Sequence, residues 1–99
     1  MRLKQHDIEA IKCAAEDVFG SDVVVRLFGS RTRDDLRGGD IDLLIEADDA
    51  VATEAFVDRF RSRLFETIDE QKVDVVLAPR SGRWSPFARL VAEDAILLP

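Results

Sequence analysis

Residues 40–46 place acidic side chains inside an apolar stretch. They read DIDLLIE, which has the hydrophobic content of a buried strand but carries two aspartates at its start. Aspartate is depleted in strands, and alternate side chains of a strand share one face of the sheet. Asp40 and Asp42 are therefore expected to point to one side of a sheet, and Ile41 and Leu43 to the other.

A second apolar stretch, residues 72–78, carries Asp74 among valines. If the two strands are neighbours, Asp74 converges on Asp40 and Asp42. Three close carboxylates repel one another, and Mg²⁺, which prefers oxygen ligands, would remove that repulsion. The three aspartates therefore predict a site for two divalent cations, an arrangement that stabilises both the attacking and the leaving oxygen of a phosphoryl displacement. Taken singly, an aspartate on an edge strand is more often a surface residue.

A polar loop precedes the first acidic stretch and begins with Gly29 and Ser30. Glycine allows the backbone to approach a ligand closely, and the amide groups of such a turn bind phosphate. Arg31 and Arg33 follow, and their guanidinium groups can neutralise a triphosphate. We predict phosphate binding by all four residues. The alternative is that Gly-Ser is a hairpin turn and the arginines pair with acids of the same loop.

The remaining pattern predicts an α+β fold, a mixed sheet covered by helices, in the order helix, strand, strand, helix, strand, helix. A single domain spans residues 1–99. Asp7, Asp48 or Asp49, and Ser85 are the expected helix N-caps. Helices are predicted over residues 7–19, 48–68 and 86–93, strands over 22–28, 40–46 and 72–78, and a short extended tail at the end.

Composition limits the function classes. No apolar run reaches the roughly 20 residues that a membrane span needs, and the first ten residues lack the apolar core of a signal peptide. We therefore expect a cytoplasmic protein without membrane contact. The net charge of −6 argues against nucleic acid as a direct substrate, because nucleic-acid surfaces need clustered lysine and arginine.

Together these motifs resemble the minimal nucleotidyltransferases of the DNA polymerase β superfamily. That family's signature is a hydrophobic residue with Gly-Ser, a spacer, an acid-hydrophobic-acid triplet and a third acid in a later strand. Here these are FGS, DIDLL and VDVVL. The resemblance implies that Gly29 and Ser30 contact phosphates and that Asp40 and Asp42 bind metal. It also implies that Asp74 binds the second metal ion and helps to deprotonate the attacking hydroxyl.

The resemblance also implies a function. Small members of this kind are similar to the antitoxin of toxin–antitoxin pairs, whose partner is an all-helical HEPN-type ribonuclease and which transfer AMP to a tyrosine. The 99 residues contain no tyrosine. We therefore expect Mg²⁺-dependent transfer of a nucleoside monophosphate, with ATP as donor, to a partner protein. Assembly into a homo- or hetero-oligomer is a further expectation. The alternative is a non-catalytic binding module that neutralises its partner by covering it.

Several residues outside these motifs have one or two interpretations each. Trp84 either packs the last helix on the core, or stacks on a nucleobase or anchors a partner. Cys13 is expected in the core; as the only cysteine it excludes an intrachain disulfide and a cysteine metal cluster. Arg80 and Arg83 could reach either the site or a partner. The arginines of the second helix are expected on its solvent-exposed side: Arg59, Arg61 and Arg63.

Overall fold

The computed structural model describes residues 3–29 and 40–99. These residues form three helices and four strands. The predicted α+β fold with its mixed sheet is confirmed. The elements are α1 (Gln5–Phe19), β1 (Val24–Phe28), β2 (Ile41–Ala47), α2 (Glu54–Leu64), β3 (Val73–Pro79), α3 (Pro86–Ala92) and β4 (Ile96–Leu97).

The four strands form one sheet in the order β3-β2-β1-β4. β1 runs antiparallel to both β2 and β4, whereas β2 and β3 run parallel. A parallel pair needs a crossover connection, and α2 lies in that connection. The parallel register places Asp42 directly beside Asp74.

The two faces of the sheet pack against different helices. Leu43 and Val25 belong to the core cluster that also contains the buried side chains of α1 and α2. Leu44, next along β2, belongs to a smaller cluster with Ala78 and with Ala88 of α3. Because strand side chains alternate, Asp42 shares a face with Leu44, the face on which α3 packs.

α2 is shorter than the sequence predicted, and neither Asp48 nor Asp49 caps it. The helix begins at Glu54, and the side chain of Thr53 accepts a hydrogen bond from the amide of Phe56 at 3.5 Å. The predicted start at 48 was therefore wrong by several residues.

Long-range partners of the two aspartates explain this difference. Asp48 accepts a hydrogen bond from Arg80 at 3.3 Å, and Asp49 accepts hydrogen bonds from both the amide and the hydroxyl of Ser81. Arg80 also donates to Asp22 at 2.8 Å. These contacts join the loops that follow β2 and β3, so the acids are not available to cap a helix.

The last two elements agree with the prediction in part. The hydroxyl of Ser85 accepts from the amide of Ala88 at 3.0 Å, which confirms Ser85 as the N-cap of α3. The tail was predicted only as extended chain, but it forms a fourth strand. Ile96 and Leu97 pair with β1, and the amide of Leu98 donates to the carbonyl oxygen of Val25 at 3.1 Å.

One helix boundary and the exposure of two side chains differ from the prediction. α1 begins at Gln5, two residues earlier than predicted. Cys13 is exposed and not in the core, because the buried face of α1 is formed by other residues. Arg61 is half-buried, and its Nε donates to the carbonyl oxygen of Val73 at 2.8 Å, whereas Arg59 and Arg63 are exposed.

No helix among the described residues combines the length and the apolar character needed to cross a membrane.

Candidate functional site

The structure brings the three predicted aspartates together at one end of the β2–β3 pair. Asp40 directly precedes β2, while Asp42 and Asp74 lie side by side in the parallel register. The side chains of Asp42 and Asp74 are close enough to share a hydrogen bond. The side chains of Asp40 and Asp74 are 45% and 47% exposed, so a ligand can reach this group from solvent.

The electrostatics of this cluster centre on Asp42. Burial raises the pKa of its carboxyl group above the ordinary value, and the charges of Asp74 and Asp40 raise the pKa further. A hydrogen bond between two carboxyl groups requires a proton on one of them, so the bond to Asp74 acts in the same direction. Lys72 lowers the pKa, but its effect is the smallest of these. Asp42 therefore retains a proton more readily than an isolated aspartate does.

Lys72 is a site residue that the sequence reasoning missed. Its Nζ lies 3.6 Å from Oδ2 of Asp40 and 3.8 Å from Oδ2 of Asp74. The signal was present in the sequence, because Lys72 stands two positions before Asp74 and alternate residues of an extended chain share a face.

Gly29 lies against the carboxylate of Asp42. Its φ of +78° lies in the left-handed region that disfavours side chains, and an added Cβ would collide with Oδ2 of Asp42. Phe28, the residue before it, pairs with Asp42 across the β1–β2 ladder. Glycine at this position therefore leaves the room that the Asp42 carboxylate occupies.

The other predicted phosphate-binding residues cannot be placed. Ser30, Arg31 and Arg33 lie outside the described residues, so their phosphate contacts stay predictions. The contact of Gly29 with phosphate also stays a prediction.

Trp84 contributes to packing. Its indole Nε1 donates to the carbonyl oxygen of Pro79 at 2.8 Å, and its ring packs against the cluster of Leu44, Ala78 and Ala88. This agrees with the interpretation that Trp84 fixes α3 to the sheet.

The chemistry of the cluster suits a hard divalent cation. Three carboxylates converge, burial and then their mutual repulsion raise the pKa of Asp42, and carboxylate oxygens are the ligands that Mg²⁺ prefers. In the described part of the chain, however, no group of three or more histidine, cysteine or acidic residues is arranged closely enough to hold a metal ion as it stands. Asp40, Asp42 and Asp74 are thus suited to a metal ion by their chemistry, although their side chains do not form a closed ligand set.

Comparison with known families adds independent information. The family model described as a nucleotidyltransferase domain matches residues 8–97, which include nearly the whole chain and all three aspartates. A search of curated proteins gives no match to this sequence.

Proposed function

This chain belongs to the nucleotidyltransferase domain family, and we propose that it transfers a nucleoside monophosphate, AMP from ATP, to a hydroxyl group of a partner protein. Nucleotidyl transfer is the general activity of the family; the donor, the cation and the acceptor are our proposal. The observation that supports it best is the pairing of Asp42 with Asp74 in the β2–β3 register, with Asp40 beside them.

In this proposal Asp40, Asp42 and Asp74 hold two Mg²⁺ ions together with the phosphates of the nucleotide. The ions would supply positive charge that neutralises the triphosphate and stabilises the charge developing on the reacting oxygens. Gly29 leaves room for the Asp42 carboxylate, which an added Cβ would displace.

Asp74 is the base of the proposed reaction. Its half-exposed carboxylate accepts the proton of the acceptor hydroxyl. The acceptor oxygen then forms a bond to the α-phosphorus, the bond from the α-phosphorus to the bridging oxygen breaks, and pyrophosphate leaves with that electron pair. The transition state gains charge on the phosphoryl oxygens, and electrostatic stabilisation there is commonly the largest contribution to the rate.

A protein acceptor is supported by the surface of the chain. α3 exposes Phe87 and Leu90, which are three residues apart and so lie on one side of the helix, and β4 exposes Leu97. Large exposed apolar side chains of this kind are typical of protein contacts. The proposed partner is a helical HEPN-type toxin, and the proposed acceptor is a tyrosine hydroxyl, a group that the 99 residues themselves do not contain.

The same apolar residues also favour a second candidate, a non-catalytic antitoxin that neutralises the toxin by covering it. The two candidates differ in what they require of the acidic cluster. A binding module has no need for Asp42 or for a divalent cation, whereas the transferase needs both.

The test is the intact mass of a helical HEPN-type candidate partner after incubation with this chain, Mg²⁺ and each nucleoside triphosphate. We expect the partner to gain the mass of one or more nucleoside monophosphates with ATP. The gain should be absent with EDTA and with Asp42→Asn. Asp58→Asn, which removes an exposed carboxylate from α2, is the matched control and should behave as the wild type.

A stable complex without any gain in mass would favour the binding module. Full transfer by Asp42→Asn would show that the acidic cluster is not the catalytic site.

A further inference from the structure

We propose that Lys72 is the resident counter-ion of the acidic cluster and that a divalent cation must displace it to bind. The inference rests on the proposed function, because it concerns how the same site accepts its metal ion. Lys72 would then control the affinity of the nucleotide-free site for divalent cations.

The position of the ammonium group supports this role. It bridges Asp40 and Asp74, with Nζ–Oδ2 distances of 3.6 and 3.8 Å. In the described part of the chain no other lysine or arginine forms an ion pair with Asp40, Asp42 or Asp74. One positive charge is thus shared by carboxylates that repel one another.

The main chain and the side chain of Lys72 are held differently. Its carbonyl oxygen accepts a hydrogen bond from the amide of Ile41 at 3.1 Å, so its backbone is tied to the first residue of β2. Its side chain, in contrast, is 66% exposed. A flexible four-carbon stem on a fixed backbone allows the ammonium group to leave the carboxylates for solvent without disturbing the sheet.

Competition for the same oxygens follows from this geometry. A cation that binds Asp40 and Asp74 takes the oxygens that Lys72 now contacts, and two positive charges cannot share them without repulsion. Because both ion pairs are exposed, the effect of Lys72 on metal affinity should be modest, about threefold to tenfold.

The experiment is a Mn²⁺ titration of the nucleotide-free protein at low ionic strength, followed by electron paramagnetic resonance of the unbound ion. Lys72→Met should bind Mn²⁺ about threefold to tenfold more tightly than the wild type. Lys72→Arg keeps the charge and should remain close to the wild type. Lys4→Met removes the same charge from the start of α1 and should also leave the affinity unchanged. Equal or weaker binding by Lys72→Met would overturn the inference.

The melting temperature with and without Mn²⁺ is a second readout. It distinguishes a variant that folds poorly from a variant that has lost only the positive charge beside the carboxylates. In EDTA, Lys72→Met should melt below the wild type, because the carboxylates lose their cation. Saturating Mn²⁺ should then raise its melting temperature by more than it raises that of the wild type. An equal rise in both proteins would contradict the counter-ion role.

The two proposals fail in different ways. If the wild type binds Mn²⁺ and Lys72→Met binds it equally well, only the role of Lys72 is overturned. If the wild type does not bind Mn²⁺ with or without ATP, both the role of Lys72 and the proposed metal site are overturned.

Discussion

Asp42, a candidate site residue, is held in the fold against its own electrostatic preference. Its carboxylate is partly withdrawn from water and lies beside two other acids, which is why its pKa is raised. A raised pKa means that the folded chain binds this proton more readily than the unfolded chain does. At pH values above the folded pKa, the ionised Asp42 therefore lowers the free energy of unfolding. This loss of stability disappears as the pH falls towards the ordinary pKa of 3.8, because Asp42 is then protonated in the folded chain.

Asp42→Asn should therefore stabilise the metal-free protein at neutral pH while it abolishes transfer. The amide has no charge to be repelled and can still donate to Asp74. Because the site is half-exposed and screened, we expect a rise in melting temperature of only about 2–4 °C, or roughly 0.5 kcal/mol. The measurement is thermal unfolding in EDTA across a pH series, in which the difference from the wild type should shrink towards acid pH. A variant less stable than the wild type at neutral pH would refute this electrostatic account.

Gly29 permits a test with a matched control at Gly82. Both residues have a φ between +70° and +100°, but an added Cβ meets the Asp42 carboxylate at Gly29 and nothing within 4 Å at Gly82. Each alanine variant should lose about 1–2 kcal/mol of stability from the left-handed backbone. Only Gly29→Ala should also displace the Asp42 carboxylate, and a displacement of about 1 Å in a catalytic group commonly costs about 100-fold in rate.

Transfer assays on Gly29→Ala and Gly82→Ala, each corrected for the folded fraction, separate these effects. Equal activity in the two variants would show that Gly29 does not determine the position of Asp42.

At the scale of elements, the sequence predicts the strands that carry the acids, but it predicts only in part which strands lie next to each other in the sheet. The apolar runs of β2 and β3 are long enough to identify as strands, and the two-residue period places Asp40 and Asp42 on one face. That Asp74 joins them depends on β2 and β3 being adjacent, which the sequence allowed but did not require. The parallel register now provides that adjacency.

The elements that the sequence predicted poorly are those that depend on distant contacts. Asp48 and Asp49 have the chemistry of N-caps, but they bind Arg80 and Ser81, more than 30 positions away, so α2 begins later. β4 has two residues, too few for a periodic signal, and exists because it pairs with β1. Lys72 stands two positions before Asp74 in the sequence, but its contact with Asp40 depends on the pairing of β2 with β3.

At the scale of the whole molecule, the sheet places the larger core on one face and the three aspartates of the candidate site on the other. Among residues 3–29 and 40–99, α1 and α2 pack on one face and form the larger core, whereas the short helix α3 packs on the face with Asp42 and Asp74. The acids therefore remain within reach of solvent on a rigid sheet. The exposed apolar residue Phe87 of α3 has its ring centroid 6.3 Å from that of Phe28, which pairs with Asp42, so a partner protein that binds Phe87 would come close to the acids.

The chain also contains a second acidic group that a metal ion could select instead. Asp48 and Asp49 follow the opposite end of β2, about 20 Å from Asp42 at the usual rise of a strand. Arg80 and Ser81 already occupy their carboxylates. We therefore expect a metal–nucleotide complex to bind at the Asp42 end of β2 and not at the end with Asp48 and Asp49.

The most direct test is paramagnetic broadening of backbone amide signals by substoichiometric Mn²⁺·ATP in a nuclear magnetic resonance spectrum of the labelled protein. We expect the amides of Asp42, Leu43, Asp74 and Val75 to broaden first in the wild type and to keep their signals in Asp42→Asn. Broadening centred on Asp48 and Asp49, or none at any residue, would contradict the assignment of the nucleotide site to the three aspartates.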